Sequence, residues 1–255
     1  MKKLTKIRFS TLLFTIIFTI IFTILSPANL ANAQTRMTSE KYGYWTDQTY
    51  TLRNNVWGPN PGSQTLWGNS YNNWGVWAAH PTISGGVKSY PHVEKPINKM
   101  VSSINTLTSA FNVTVPTSGA SVSTDYDIWL GNHGHEIMLW MNNYGEVGPI
   151  ADKYDSFGIA IPYCTNLSLG GHTWNVYKGN NGSNMVYSFV RTSNTNFGTV
   201  DIKAILDWIK DTPKWYGDIV LDDVEFGFEI TSSHNDYSRD KGYNFITNDF
   251  SITTS

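Results

Sequence analysis

The chain has 255 residues, with 18 basic and 20 acidic side chains and a net charge of −2, and it holds no basic run suited to a phosphate backbone, which argues against nucleic acid as a partner. Cys164 is its one cysteine, so no intramolecular disulfide can form and an exported product must rest on an apolar core. With 10 Trp and 14 Tyr the chain is rich in side chains that combine a flat apolar face with a polar edge.

Residues 1–33 read as a secretory signal peptide. Lys2, Lys3, Lys6 and Arg8 precede an apolar run over 12–25, Pro27 breaks it, and Ala31-Asn32-Ala33 supplies the small residues of a cleavage site after Ala33. The run falls short of the roughly 20 apolar residues of a membrane span, so no membrane association is expected after cleavage. Four basic residues leave with the leader, and 14 basic then stand against 20 acidic ones. The basic start is of bacterial type, and the product is expected outside the cell, as a monomer. Residues 34–255 form one expected domain, with a loose tail over 34–40.

Within that domain, short β-branched and aromatic runs alternate with Gly, Asn, Pro and Ser clusters, which predicts strands. They fall at 42–51, 87–90, 112–115, 121–130, 136–141, 156–167, 172–178, 185–192, 219–231 and 243–253. Gly170-Gly171 and Asn180-Asn181-Gly182 suit hairpin turns. One segment, 200–211, follows helical spacing through Val200, Ile202, Ala204, Ile205, Trp208 and Ile209, with Asp201 near its start and Pro213 beyond its end. Many strands with a single α-helix predict an all-β, two-sheet antiparallel sandwich of jelly-roll type.

Alternation along a strand sorts side chains by face. Ile137, Leu139 and Met141 form one apolar set, while Glu136, Met138 and Trp140 face the other way. Val224, Phe226, Phe228 and Ile230 likewise oppose Glu225, Gly227, Glu229 and Thr231, and Gly227 reads as room for a ligand beside Glu229. In the segment before them, Tyr126, Ile128 and Leu130 oppose Asp125, Asp127 and Trp129. A single acid on an outer face is ordinary; acids on three strands beside Trp and Met point to one shared cleft. Two carboxylates, Glu136 and Glu229, would then face each other across a sugar.

The stretch His133-Gly134-His135-Glu136 invites a metal reading. On a regular strand the two histidines share one face and Glu136 takes the other, so no metal or other cofactor is expected. Cys164 lies in an apolar run without an evident activating base and reads as a small hydrophobe.

Asn54-Asn55-Val56-Trp57-Gly58, Lys88-Ser89-Tyr90-Pro91, Tyr126-Asp127-Ile128-Trp129-Leu130, Glu136-Ile137-Met138-Leu139-Trp140, Gly148-Pro149-Ile150 and Glu225-Phe226-Gly227-Phe228-Glu229 follow one another along nearly the whole domain. In this the chain resembles the glycoside hydrolase family 12 endoglucanases. The resemblance implies a jelly roll with a concave sheet forming an open substrate cleft, and hydrolysis of internal β-1,4-glucosidic bonds of cellulose or related β-glucan polysaccharides with retention of configuration. It implies Glu136 as nucleophile, Glu229 as general acid/base, and Asp127 beside the nucleophile. Asn55, Trp57, Met138, Trp140 and Pro149 match its substrate-contacting positions, with Trp57 and Trp140 expected to stack on sugar rings. Thr231 stands where some members carry an aromatic. A retaining pair of carboxyl groups lies about 5–5.5 Å apart, close enough for the charge of Glu136 to keep Glu229 protonated. A xyloglucan-specific endoglucanase and a non-catalytic carbohydrate-binding sandwich remain alternatives.

Overall fold

The computed structural model describes residues 35–82, 86–234 and 241–255; the signal peptide expected over 1–33 lies outside them. Among the described residues the chain forms fifteen strands and one α-helix. The strands are β1 (Arg36–Thr38), β2 (Tyr44–Asp47), β3 (Tyr50–Arg53), β4 (Ser63–Ser70), β5 (Asn73–Ala79), β6 (His92–Met100), β7 (Leu107–Thr114) and β8 (Ser121–Leu130). They continue as β9 (His135–Tyr144), β10 (Cys164–Leu169), β11 (His172–Asn180), β12 (Met185–Arg191), β13 (Phe197–Asp201), β14 (Val220–Ser232) and β15 (Tyr243–Thr254), with α1 (Ile202–Asp211) between β13 and β14.

Two sheets form a jelly-roll sandwich. One has the order β1-β4-β5-β15-β7-β13 and the other β10-β11-β12-β9-β8-β14-β6-β3-β2. Pairing is antiparallel except between β9 and β12, which run parallel. The inward faces meet in one apolar core, where Trp74, Phe245 and Phe250 of the smaller sheet pack with Ile128, Ile137, Leu139, Phe226 and Phe228 of the larger. Those last five belong to the inward sets read from alternation. The opposite sets, with Glu136, Asp127 and Glu229, lie on the outer face of the larger sheet.

The helix follows its sequence signals. Asp201 caps it, accepting a hydrogen bond from the Ala204 backbone N–H at 3.0 Å. Its buried side is Ile202, Ile205, Leu206 and Ile209.

Several strands depart from expectation. The span 42–51 is two strands, β2 and β3, turned at Gln48 with φ +57°. Strands β4 and β5 lie in a Gly- and Asn-rich region for which the sequence predicts no strand. Strand β6 was masked by Pro96, which sits opposite Asp223 where the register of β14 slips, so its missing N–H costs little. Ser89 makes isolated bridges to Val56 and Ile230 instead of a strand over 87–90. Of 156–167 only the end belongs to β10; Asp155 Oδ1 accepts from the N–H groups of Phe157 and Ile159, closing a loop that leaves both side chains exposed. Gly227 also differs from its expected part. A Cβ there would lie 2.1 Å from the Pro91 carbonyl oxygen, so it admits the β6 backbone, not a ligand.

Candidate active site

Strands β8, β9 and β14 are neighbours in the larger sheet, so their outward side chains share one floor. Across them Met138, Asp127 and Glu225 are aligned in register, and Glu136 is aligned with Trp129. Asn55, Trp57, Asp127, Glu136, Met138 and Glu229 line a single cavity of about 570 Å³, with Tyr90, Trp129, His133, Ile150, Asn181 and Glu225. Trp140 and Pro149 line an adjoining cavity of about 540 Å³, and Ile150 belongs to both. The two hollows make one groove over the outer face.

The rim is held by backbone. Asn55 adopts φ +42°, a conformation asparagine tolerates, and its carbonyl accepts from the Tyr90 N–H at 3.0 Å. Trp57 donates its N–H to the Lys88 carbonyl at 3.1 Å and keeps 51% of its surface exposed. Trp140 is only 3% exposed and packs with Met138 and Val186, so it is part of the floor, while Trp57 offers a free ring.

Glu136 is nearly buried, and its Oε2 accepts from the Asn184 amide at 2.8 Å and the Asn181 amide at 3.4 Å. Those asparagines come from the β11–β12 turn, which the parallel pairing of Val186 with Glu136 brings alongside. Burial raises the Glu136 pKa and the Asn184 hydrogen bond restrains it. Glu229 has a different setting. Burial first, then the charge of Glu136, push it up to about 7, against a smaller pull from Ser123, whose Oγ lies 3.5 Å from its Oε2. Burial thus outweighs the neighbouring charge that sequence reasoning gave as the cause. Asp127 is driven well above the carboxylate range by burial, then by Asp125, Glu136, Glu225 and Glu229.

The profile of glycosyl hydrolase family 12 matches residues 48–254. The chain belongs to this family. A family 12 chain is a glycoside hydrolase, and two outward carboxylates in one groove suit that chemistry. Over 241 residues, 89% of this chain and 95% of the relative, it is 30% identical to a probable xyloglucan-specific endo-beta-1,4-glucanase A of Aspergillus fumigatus. It is 29% identical to endoglucanase S of Pectobacterium parmentieri, over 81% of this chain and 84% of that protein. Among solved structures, the xyloglucanase domain of NopAA, a type three effector from Sinorhizobium fredii, in complex with cellobiose, superposes with a TM-score of 0.80 at 45% identity. That match covers 86% of this chain and 99% of the domain.

The family 12 groove also holds side chains that were placed on the right face but given no role, or not singled out. Asp125 is fully buried and accepts from Ser123 Oγ at 2.6 Å. The sequence marks Asn181 as a turn residue and does not single out Asn184. His133, His135 and Glu136 part company: His133 Nε2 lies 3.2 Å from Asp223 Oδ2, His135 Nδ1 lies 3.0 Å from the Tyr187 hydroxyl, and Glu136 meets Asn184.

Proposed function

We propose that this family 12 endo-β-1,4-glucanase is secreted after cleavage at Ala33, acts as a monomer, and cuts internal bonds of β-glucan by double displacement. Glu136 and Glu229 sharing one cavity in unlike electrostatic settings carries the reading. The amide-bonded Glu136 carboxylate attacks the anomeric carbon, and the glycosidic C–O bond breaks as Glu229 gives its proton to the departing oxygen. Glu229, now a carboxylate, takes a proton from water as that water attacks the glycosyl-enzyme, and Glu136 leaves. Asp127, diagonal to Glu136 across β8 and β9, is too enclosed to ionise readily and presents a neutral acid beside the nucleophile. Asn55, Trp57, Met138, Trp140 and Pro149 would contact the sugars. Among the described residues, no helix is long and apolar enough to cross a membrane.

Xyloglucan is a second reading of the substrate, favoured by the xyloglucan-named relative and by the xyloglucanase domain at 45% identity. Reducing-sugar release from a soluble cellulose derivative, mixed-linkage β-glucan and xyloglucan tests both readings, with wild type beside Glu136→Ala and Glu229→Ala. Each substitution should lower kcat by roughly 10²–10⁴ or more. Activity surviving both would end the assignment of the pair, and the ratio among polymers decides between general and xyloglucan-specific cleavage.

A further inference from the structure

Glu225 lines the groove from β14, and behind it stands His92 of β6, only 2% exposed. His92 Nδ1 lies 2.7 Å from the Tyr90 carbonyl oxygen, which can only accept, so Nδ1 carries the hydrogen. In the neutral ring Nε2 is then a bare lone pair. It lies 3.4 Å from Glu225 Oε1 and has no other hydrogen-bond partner. An ionised Glu225 would set two lone pairs against each other in the largely enclosed floor of the groove; a proton between them turns repulsion into a hydrogen bond. Glu94 completes a group whose possible ligand atoms lie within 4.8 Å of one another, but Arg53 already neutralises it through an ion pair. The proton is therefore the cation that this place calls for.

We propose that His92 and Glu225 share one proton beneath the groove, and that this pair fixes Trp129, with the His133 ring stacked on it, as the wall beside Glu136. Trp129 lies diagonal to Glu225 across β8 and β14 and lines the same cavity, which puts its indole N–H where it can act on the Glu225 carboxyl; Trp129 is aligned with Glu136 across β8 and β9, and the His133 ring lies 4.8 Å from the Trp129 ring at 15°. The groups facing Glu225 favour its neutral form. Glu94 of β6, Asp127 of β8, Asp223 of its own strand and Glu136 of β9 are acids, Tyr90 is a phenol, and Arg53 of β3 is the one fixed cation. Burial leads in pushing Glu225 up to about 8, and it pulls His92 down to about 4, so both are neutral between those values. His92 and Glu225 are thus positioning residues for the glucan groove, an inference that rests on the glucan reading above for its substrate.

Two measurements test it. Side-chain nitrogen NMR of the substrate-free protein should show His92 as the Nδ1–H tautomer, with an Nε2 signal that moves as pH passes about 8 and stays still near 6.5. An Nε2–H tautomer, or an imidazolium forming near 6.5, would overturn the proposal whatever the enzyme's substrate. On the best glucan, KM should rise above pH 8 in wild type, and Glu225→Ala should raise KM about tenfold at pH 6 with kcat within about twofold. Glu225→Gln, whose amide can still donate to His92 and accept from Trp129, should restore KM at pH 6 and abolish its rise above pH 8. A fall confined to kcat in Glu225→Ala, or a Gln variant no better than Ala, would overturn it. Should the Ala variant not fold, the Gln variant and the NMR titration decide. A protein inactive on every glucan would sink the glucan reading and leave the NMR result standing.

Discussion

The Asn184 amide, 2.8 Å from Glu136 Oε2, is the strongest restraint on a carboxylate that burial pushes toward its neutral form. The nucleophile proposed at Glu136 must be ionised, so Asn184→Ala should raise the pKa of Glu136 and move the acid limb of the kcat/KM profile to higher pH. Hydrogen bonds to charged groups contribute about 1.5–3 kcal/mol, so activity on the acid side should fall roughly 10- to 100-fold while the alkaline limb stays put. A pH–rate series on both proteins checks this, and an unmoved acid limb would count against Glu136 as the ionised partner. The carboxylates themselves were legible in the sequence because Glu136, Asp127 and Glu229 interrupt strands that otherwise alternate cleanly into a core. Asn184 was not. Asn181 is explained by the Asn180-Asn181-Gly182 hairpin alone and Asn184 carries no pattern of its own, and the reach of both to Glu136 depends on the parallel register of β9 with β12. No local pattern announces that pairing. The case of Asp125 and Glu225 lies between: alternation put both on the outer face, yet only burial and neighbours distinguish them from solvent-facing acids.

Strand β14 links the groove to the sandwich, pairing with β8 on one side and β6 on the other. Gly227 is paired with His92 at the start of β6, and a methyl there would lie 2.1 Å from Pro91 O and 2.8 Å from His92 Cα. Backbone cannot step aside as a side chain does, so Gly227→Ala should pry β6 from β14 and cost roughly 1–3 kcal/mol. For a domain of this size that is a Tm loss of roughly 2–12 °C, measurable by calorimetry. A variant as stable as wild type would restore the view that the glycine serves a ligand. The wider comparison of strands follows the same logic. Strands with an uninterrupted apolar set, such as β8, β9, β12 and β14, could be read from alternation. Strands β4 and β5 could not, because Gly68 and Gly75 take the places of side chains: a Cβ on Gly68 would meet the Trp45 ring and one on Gly75 the Trp67 ring. The loop over 156–163 erred the other way. Its Phe157, Ile159 and Ile161 look like strand interior, yet all three are exposed, and the turn about Asp155 decides their course.

A floor of buried acids also sets how the folded domain answers to pH. Burial, followed by neighbouring negative charge, raises Asp223 to about 7, Glu225 to about 8 and Glu229 to about 7, and it raises Asp125 and Asp127 well above the usual carboxylate range. In the unfolded chain these groups lose their protons near 4 to 4.5. Between those limits the folded state therefore holds more protons than the unfolded one, and stability falls as pH rises, by roughly 1.4 kcal/mol per pH unit for each proton difference. His80 and His92 work in the opposite sense. Burial lowers both to about 4, so the folded state holds fewer protons than the unfolded chain up to about 6.5, and stability rises with pH across that range. The two trends oppose each other up to about pH 6.5; above it only the acids remain. Tm should thus pass through a maximum near or below pH 6.5 and decline clearly by pH 8.5. The double variant Glu225→Gln/Glu229→Gln, which cannot release those two protons, should flatten the decline. A wild-type Tm that holds level or climbs between pH 6.5 and 8.5 would mean that these carboxylates ionise in the folded state without penalty, and the reason for Glu229 to keep its proton at neutral pH would go with it.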